Sequence, residues 1–271
     1  ALREAWDALR ERTPDTDLGH AAAELEVSEA ELLATRCGDG VRRIEVDVER
    51  LLPRLEALGP LVAVTRNHLF GHRKAGVYRN VYANPHVSSV VGDEIDLRVF
   101  PARWAHGFAV DGRGWMGTRP SLRFFDAHGR AVHEIFLGED PAPDTYEALV
   151  DDFLHSDQGA GQAVVQQERP SAPRPDEQGD VAALQDDRRE QEDTHDVLAM
   201  LREHGVSRTQ ALRLVSDELA RPADTDGVRR ILESASEDGI ELMVFVRSPG
   251  TIQIHHGPVD RVVDDPPWLE V

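Results

Sequence analysis

Along the first 58 residues the apolar positions recur every three to four residues. Leu2, Ala5, Trp6 and Leu9 lie between charges and predict an amphipathic helix over about 2–12. Leu18, Ala21, Ala22 and Leu25 predict a second. A third starts at Ser28, where Glu31 three residues on completes a capping box. A fourth runs from about Val46 to Leu58 and stops at Gly59-Pro60. Beyond that point the period shortens. Leu61–Thr65, Ala75–Tyr82, His86–Val91, Ile95–Phe100, Gly107–Val110, Ser121–Phe125 and Val132–Leu137 are short and rich in β-branched and aromatic residues. Turn pairs such as Asn84-Pro85, Gly92-Asp93 and Asp111-Gly112 separate them, which predicts an antiparallel meander. A helix over about 142–155 closes this unit.

Residues 156–181 are rich in Gly, Gln, Pro, Ser and acids, too polar to bury a core, and read as a flexible linker. After it the pattern restarts. Val27-Ser28 with Glu31-Leu32 recurs as Val206-Ser207 with Gln210-Ala211-Leu212, an offset of 179 (206 − 27). Arg66 recurs as Arg247, an offset of 181 (247 − 66), and a helix over 226–238 precedes the apolar run Leu242–Val246. One α+β module is therefore expected twice: residues 1–155, the linker 156–181, and 182–271. The second copy holds helices and first strands only, so it reads as incomplete, with an open sheet edge and the rest of the module expected C-terminal to Val271.

Composition narrows the chemistry. The formal net charge is −20, with 50 acidic against 30 basic residues and no basic run, so duplex DNA and anionic membranes are poor partners. The helices spanning His20–Arg36 resemble a helix-turn-helix in outline, but Glu24, Glu26, Glu29 and Glu31 would repel phosphate. No apolar run is long enough to span a bilayer. Cys37 is the single cysteine, which fits a reducing compartment and rules out thiolate metal sites. His68 and His72 flank Gly71 in strand and turn sequence, and His255-His256 alternate across a strand, so no zinc site is expected. Phosphate-loop, nucleophile-elbow and dinucleotide fingerprints are absent from the sequence.

Four segments in order carry a resemblance. They are LREAWDALRERTPDTDLGHAAAELEVSEAELLATR at the start, RNHLFGHRKAG at 66–76 with EIDLRVF at 94–100 and RWAHGFAV at 103–110, DTHDVLAMLREHGVSRTQALRLVSDELA at 193–220, and LMVFVRSPGTIQIHHGPVDRVVDDPPWLEV at 242–271. Together they resemble the bacterial hemin-degrading and haem-trafficking family of HemS and ChuS type. The resemblance implies an α+β fold made by tandem duplication, each half with N-terminal helices and a large antiparallel sheet. It implies haem b, iron protoporphyrin IX, as cofactor, with His195 as the axial iron ligand. It places Arg98 on the distal side, Arg208 against a propionate, Phe100 packed on the porphyrin, and His72 as a second histidine of interest.

From the residues alone each of these has a plainer reading. His195 stands in a very polar stretch, with Leu198 and Ala199 on its helical face. Arg98 shares a strand face with Asp96 and Phe100 and could simply pair with Asp96. Arg208 follows the apparent N-cap Ser207, where a propionate would meet free N–H groups, or it is a solvated arginine. The sequence also departs from the family pattern, with Arg188 upstream of the histidine and Asp196, Val197 and Leu198 after it. The expected function is cytoplasmic haem binding in iron acquisition, by haem degradation with an external electron donor. The alternative is a non-catalytic carrier that hands haem to a separate oxygenase or buffers it. The partners implied are haem and either an inner-membrane haem importer or a cytosolic haem oxygenase.

Overall fold

The structure is a computed structural model, and it describes residues 1–14, 16–112, 119–138, 143–166, 201, 205–214, 216–218, 221–224, 226–265 and 268–270. Three helices open the chain: α1 (Leu2–Arg12), α2 (Leu18–Glu24) and α3 (Glu29–Ala34). The expected capping box is present, with Ser28 Oγ accepting from Glu31 N and the Glu31 carboxylate accepting from Ser28 N. Strand β1 (Val41–Ile44) follows, then α4 (Val48–Leu51), which tightens into a 3₁₀ helix (Leu52–Leu58) at Pro53. The strands are β2 (Leu61–Arg66), β3 (Gly71–Gly76), β4 (Val81–Tyr82), β5 (Ser88–Val91), β6 (Asp96–Val99), β7 (His106–Val110), β8 (Ser121–Phe125) and β9 (Ala131–Leu137). Helix α5 (Pro143–Asp152) comes next.

Six of the seven predicted strand segments hold one strand each; Ala75–Tyr82 instead splits into the end of β3, a loop over 77–80 and β4, and the strands do not form one meander. Six make a sheet in the order β1-β7-β8-β9-β2-β3, and β4, β5 and β6 belong to a second sheet. The reason lies in coverage. Every residue of β8 is buried, because both faces of the six-stranded sheet are covered. Phe124 faces a core with Leu52, Leu55, Tyr78, Leu97, Trp104 and Phe153, whereas Phe125 faces Trp6, Leu9, Leu32, Leu33 and Phe108 beneath the N-terminal helices.

A buried ion network ties those helices to the sheet. Arg66 Nε donates to Glu134 Oε1 at 2.7 Å, and its Nη atoms pair with Glu29 at the start of α3. Arg123, opposite Glu134 on the neighbouring strand, lies 3.4 Å from its second oxygen. Burial opposes the charge on Glu134, but Arg123 and Arg66 outweigh it and hold its carboxyl below the usual range. At the adjacent position His133 is fully buried; its ring nitrogens meet Thr65 Oγ1 at 2.9 Å and Tyr78 Oη at 2.8 Å. Burial pushes this imidazole down to about 4, so it is neutral, donating at one nitrogen and accepting at the other. Gly129, at φ +77 in the β8–β9 turn, sits where a Cβ would meet Ser28 Oγ at 2.2 Å, so only glycine lets this turn meet the α3 cap.

Edge strand β1 is covered by the chain that leaves α5. Glu45 N donates to Phe153 O, His155 N donates to Arg43 O, and the Gln158 side chain bonds both the N–H and the C=O of Arg43. The buried Arg43 guanidinium reaches the carbonyls of Asp157 and Gly159. Residues 156–166, which composition alone assigns to the linker, are therefore lashed to the sheet, and Val165 N donates to Ala127 O at 2.8 Å. Covering β1 removes an edge open to foreign strands.

Two strands from the second copy, β10 (Leu242–Arg247) and β11 (Thr251–Gly257), repeat the β2–β3 hairpin residue for residue. Leu61 pairs Gly76 and Leu242 pairs Gly257, both offset by 181 (242 − 61 and 257 − 76). The expected open edge on this hairpin is filled on one side: β11 pairs antiparallel with β6, giving a five-stranded sheet β10-β11-β6-β5-β4. Residues 241–258 thus belong to the second copy by sequence and to the first compact unit, with residues 1–167, by packing. The second unit comprises 168–240 and 259–271. Its described elements are α6 (Arg208–Leu214), α7 (Gly227–Asp238) and the hairpin β12–β13 (Val263–Asp265, Trp268–Glu270). Ser207 Oγ accepts from Gln210 N, the same cap that Ser28 makes on α3. Helix α7 ends at Gly239, in the left-handed region at φ +66.

Two stability measurements check this account. Glu134→Gln removes the charge between two arginines and is expected to cost about 3 kcal/mol in urea unfolding at pH 7; a loss under about 1 kcal/mol would show the network to be dispensable. For His133, the unfolded chain takes up a proton near pH 6.5 that the fold refuses until about 4. Stability should therefore fall as pH drops through that window, by up to about 1.4 kcal/mol per unit. His133→Asn should flatten that slope, and an unchanged slope would place the titration elsewhere.

Candidate functional site

Strand β6 sorts its residues by alternation. Leu97 and Val99 are fully buried in the core, whereas Asp96 and Arg98 lie half-exposed on the opposite face. Strand register extends that face across all five strands. One row reads Tyr82, Ser89, Arg98, Ile252, Arg247. The next reads Val91, Asp96, Ile254, Phe245, and beyond it His256 pairs Met243. The reverse side carries Val81, Val90, Leu97, Gln253 and Val246, which fill the core.

The outer face is apolar and largely exposed, with Ile254 its buried member. Tyr82 is 64% exposed, Phe245 58%, Met243 57% and Val91 42%. A sheet face with this much uncovered aromatic and aliphatic surface marks a binding surface. Within it Arg98 Nη1 bonds the Asp96 carboxylate and the Leu97 carbonyl, the latter at 3.0 Å. Phe100, next in the same alternation, is half-buried where β6 ends, and its N–H donates to Gly250 O at 3.0 Å. Gly250 is fixed in turn by the Trp104 indole, which donates to the same carbonyl. A flat, mostly apolar ligand that carries carboxylates suits this surface: side chains such as Phe245 and Met243 offer contact area, and Arg98 and Arg247 offer charge. The porphyrin implied by the sequence resemblance meets that description.

Of the residues singled out from sequence, Arg98 lies on this face and Phe100 just beyond the end of its strand. His72 does not join them. It pairs with Thr65 across β2–β3, on the side where Thr65 meets His133. Its Nδ1 lies 3.4 Å from Gln253 O and its ring is edge-on to His255, which shares the core side of β11 with Gln253. Burial, with Lys74 and His255 adding to it, pushes His72 down to about 4, a neutral imidazole wedged between two hairpins. His195 lies outside the described residues. Arg208 is the first residue of α6, and its side chain is outside them too. Among the described residues, no three His, Cys, Asp or Glu side chains converge to hold a metal ion.

Sequence reasoning missed Tyr82, Val91, Ile252, Met243, Phe245 and Arg247. A signal for two of them, Met243 and Phe245, was present. Leu242–Val246 is apolar at every position, so one face of β10 had to be covered by something other than the core.

Comparison with known proteins covers nearly the whole chain. The family described as "Haemin-degrading HemS.ChuX domain" matches residues 26–153 and 205–271, one stretch in each copy. The hemin transport protein HmuS of Yersinia pestis is 32% identical over 247 residues, which is 90% of this chain and 70% of that protein. Among solved structures, holo-PhuS, a heme-binding protein from Pseudomonas aeruginosa, is similar with a TM-score of 0.93 and 40% identity, over 99% of this chain and 78% of that one. The heme degrading enzyme ChuS of Escherichia coli O157:H7 is similar with a TM-score of 0.87 and 28% identity over the same shares.

Proposed function

This chain belongs to the haemin-degrading HemS/ChuX family, and from that premise we propose that it binds haem b on the open face of the five-stranded sheet, with His195 as the axial ligand. The observation that carries this reading is the exposed apolar face itself, with Arg98 at its centre. Covering about 200 Å² of apolar surface there contributes about 5 kcal/mol, enough to hold a flat ligand before any iron bond forms. Phe245, Met243, Tyr82 and Phe100 would supply the apolar contact. Arg98 would donate to an anion presented over the sheet, and Arg247 and Arg208 would meet carboxylates. His195 would offer a neutral imidazole nitrogen to the iron. His72 stands apart from that surface, so its role is to hold the two hairpins together.

When bound, the haem supplies the iron and the conjugated ring on which oxygen chemistry takes place. The protein's share would be to orient the ring, exclude water from it and offer the Arg98 guanidinium to an anion. The reading we adopt is haem degradation with release of iron, the electrons coming from a separate donor, since the sequence carries no flavin or nicotinamide signature. A carrier that hands haem to a separate oxygenase stands beside it. That second reading is favoured by the higher identity to PhuS, described as heme-binding, than to ChuS, described as heme degrading. We place either activity in the cytoplasm, downstream of an inner-membrane haem importer, because the one cysteine suits a reducing compartment. Among the described residues no helix is long and apolar enough to cross a membrane.

Hemin titration followed at the Soret band tests both levels. His195→Ala should change the spectrum and weaken binding, and a wild-type spectrum in that variant would remove His195 as ligand. Phe245→Ser should weaken hemin binding about tenfold, as expected for losing about 1.4 kcal/mol of contact, with the melting temperature nearly unchanged because the side chain is exposed. With reductant and air, catalase-resistant loss of the Soret band with iron release supports degradation; a stable band that transfers to an oxygenase supports the carrier.

A further inference from the structure

Asp96 is out of place on the face that holds it. In its own row the neighbours are Val91, Ile254 and Phe245, and in the adjoining row Tyr82, Ser89, Arg98, Ile252 and Arg247. Across these two rows every other residue is apolar, neutral or cationic. A carboxylate between Val91 and Ile254 repels any anionic ligand and gains nothing from its apolar neighbours. On the face it pairs with Arg98, two positions on along the same strand. Both bonds of that arginine leave from Nη1, one to Asp96 and one to the Leu97 carbonyl, so the guanidinium is curled back along its own strand. Asp96 and Arg98 are both partly open to solvent, with side chains 30% and 37% exposed, so a competing anion can reach the pair.

We propose that Asp96 is a positioning residue that latches Arg98 onto the sheet and thereby limits how strongly Arg98 binds an anion presented over the face. This rests on the reading of that face as the haem site. An anion over the sheet, whether a carboxylate of the ring or a ligand on the iron, competes with Asp96 for the guanidinium. Removing the Asp96 charge frees the arginine to serve the incoming anion alone. The bare loss of a negative charge also favours anions, so the latch is identified by its dependence on Arg98.

The test is azide binding to the ferric hemin complex of the full chain, read from the Soret shift, in a double-mutant cycle of Asp96→Asn and Arg98→Ala. Asp96→Asn is expected to lower the azide Kd about fivefold, the size set by a partly exposed ion pair. Arg98→Ala is expected to raise it, and Asp96→Asn made in the Arg98→Ala background should have little effect. Asp96→Glu, which keeps the charge, should stay close to wild type. An unchanged Kd in Asp96→Asn overturns the latch, as does an equal gain with and without Arg98. If Arg98→Ala leaves azide affinity untouched, the placing of Arg98 at the haem fails, and the latch falls with it. If Arg98→Ala acts while Asp96→Asn does not, only the latch falls. Thermal melts of each variant confirm that the compared proteins are folded.

Discussion

The pairing of Thr251–Ile254 with Asp96–Val99 is the constraint on which the candidate site depends. It joins a hairpin of the second copy to a sheet begun by the first, and so makes one surface from two stretches that lie 155 positions apart (251 − 96). Without it β6 would present Arg98 beside an unpaired edge, and Phe245, Arg247 and Ile252 would lie on a hairpin with no sheet to join. The pairing also explains why the core side of β11 is so polar yet buried. Gln253 is sealed against β2, its Nε2 donating to Ala63 O at 3.2 Å. Thr251 and Ser248 are fixed at the Phe100–Trp104 corner by Gly250, whose carbonyl takes two donors there. The Gln253 amide N–H and the Gly250 carbonyl thus help to set the register of β11 on β6.

Much of the fold was legible because local signals and packing agree. Ser28 with Glu31, Gly59-Pro60 and the period change after Leu61 gave element types close to those observed. β1 was missed because Val41–Ile44 carries Arg42 and Arg43 in a four-residue strand, and that reads as loop by composition. The order of strands was not legible at all. Alternation tells which residues share a face, not which strand lies beside which, so seven strands in a row read as a meander. The linker boundary was displaced for a related reason: Gln158 and Gly159 look like linker residues, and only the edge of β1 shows why they are ordered.

The candidate site was legible in part. Arg98 and Phe100 came from a resemblance, and alternation put them on one face; the structure has Arg98 on the outer face of β6 and Phe100 just past its end. Arg98 makes the Asp96 contact that the plainer reading foresaw. The residues from β10 and β11 were invisible because their value depends on being open, and a sequence records hydrophobicity without recording what covers it. His72 shows how little the sequence says of packing. A histidine in a glycine-flanked strand gives no sign that it will be wedged between hairpins and held neutral by burial.

The two copies put the same strand position to different uses. In the first copy Arg66 is consumed by Glu29 and Glu134, and that network binds the helical layer to the sheet. Its counterpart Arg247 is exposed. The counterpart of Glu29, by the offset of 179 that aligns Ser28 with Ser207, is Arg208 (29 + 179). The second copy therefore carries arginine at both positions and cannot form the helix-to-strand ion pair of the first. Like charges that cannot neutralise each other must find anions elsewhere, in solvent or in a ligand. Arg247 thus stands at an apolar sheet face without the acid on a preceding helix that its counterpart Arg66 pairs with in the first copy.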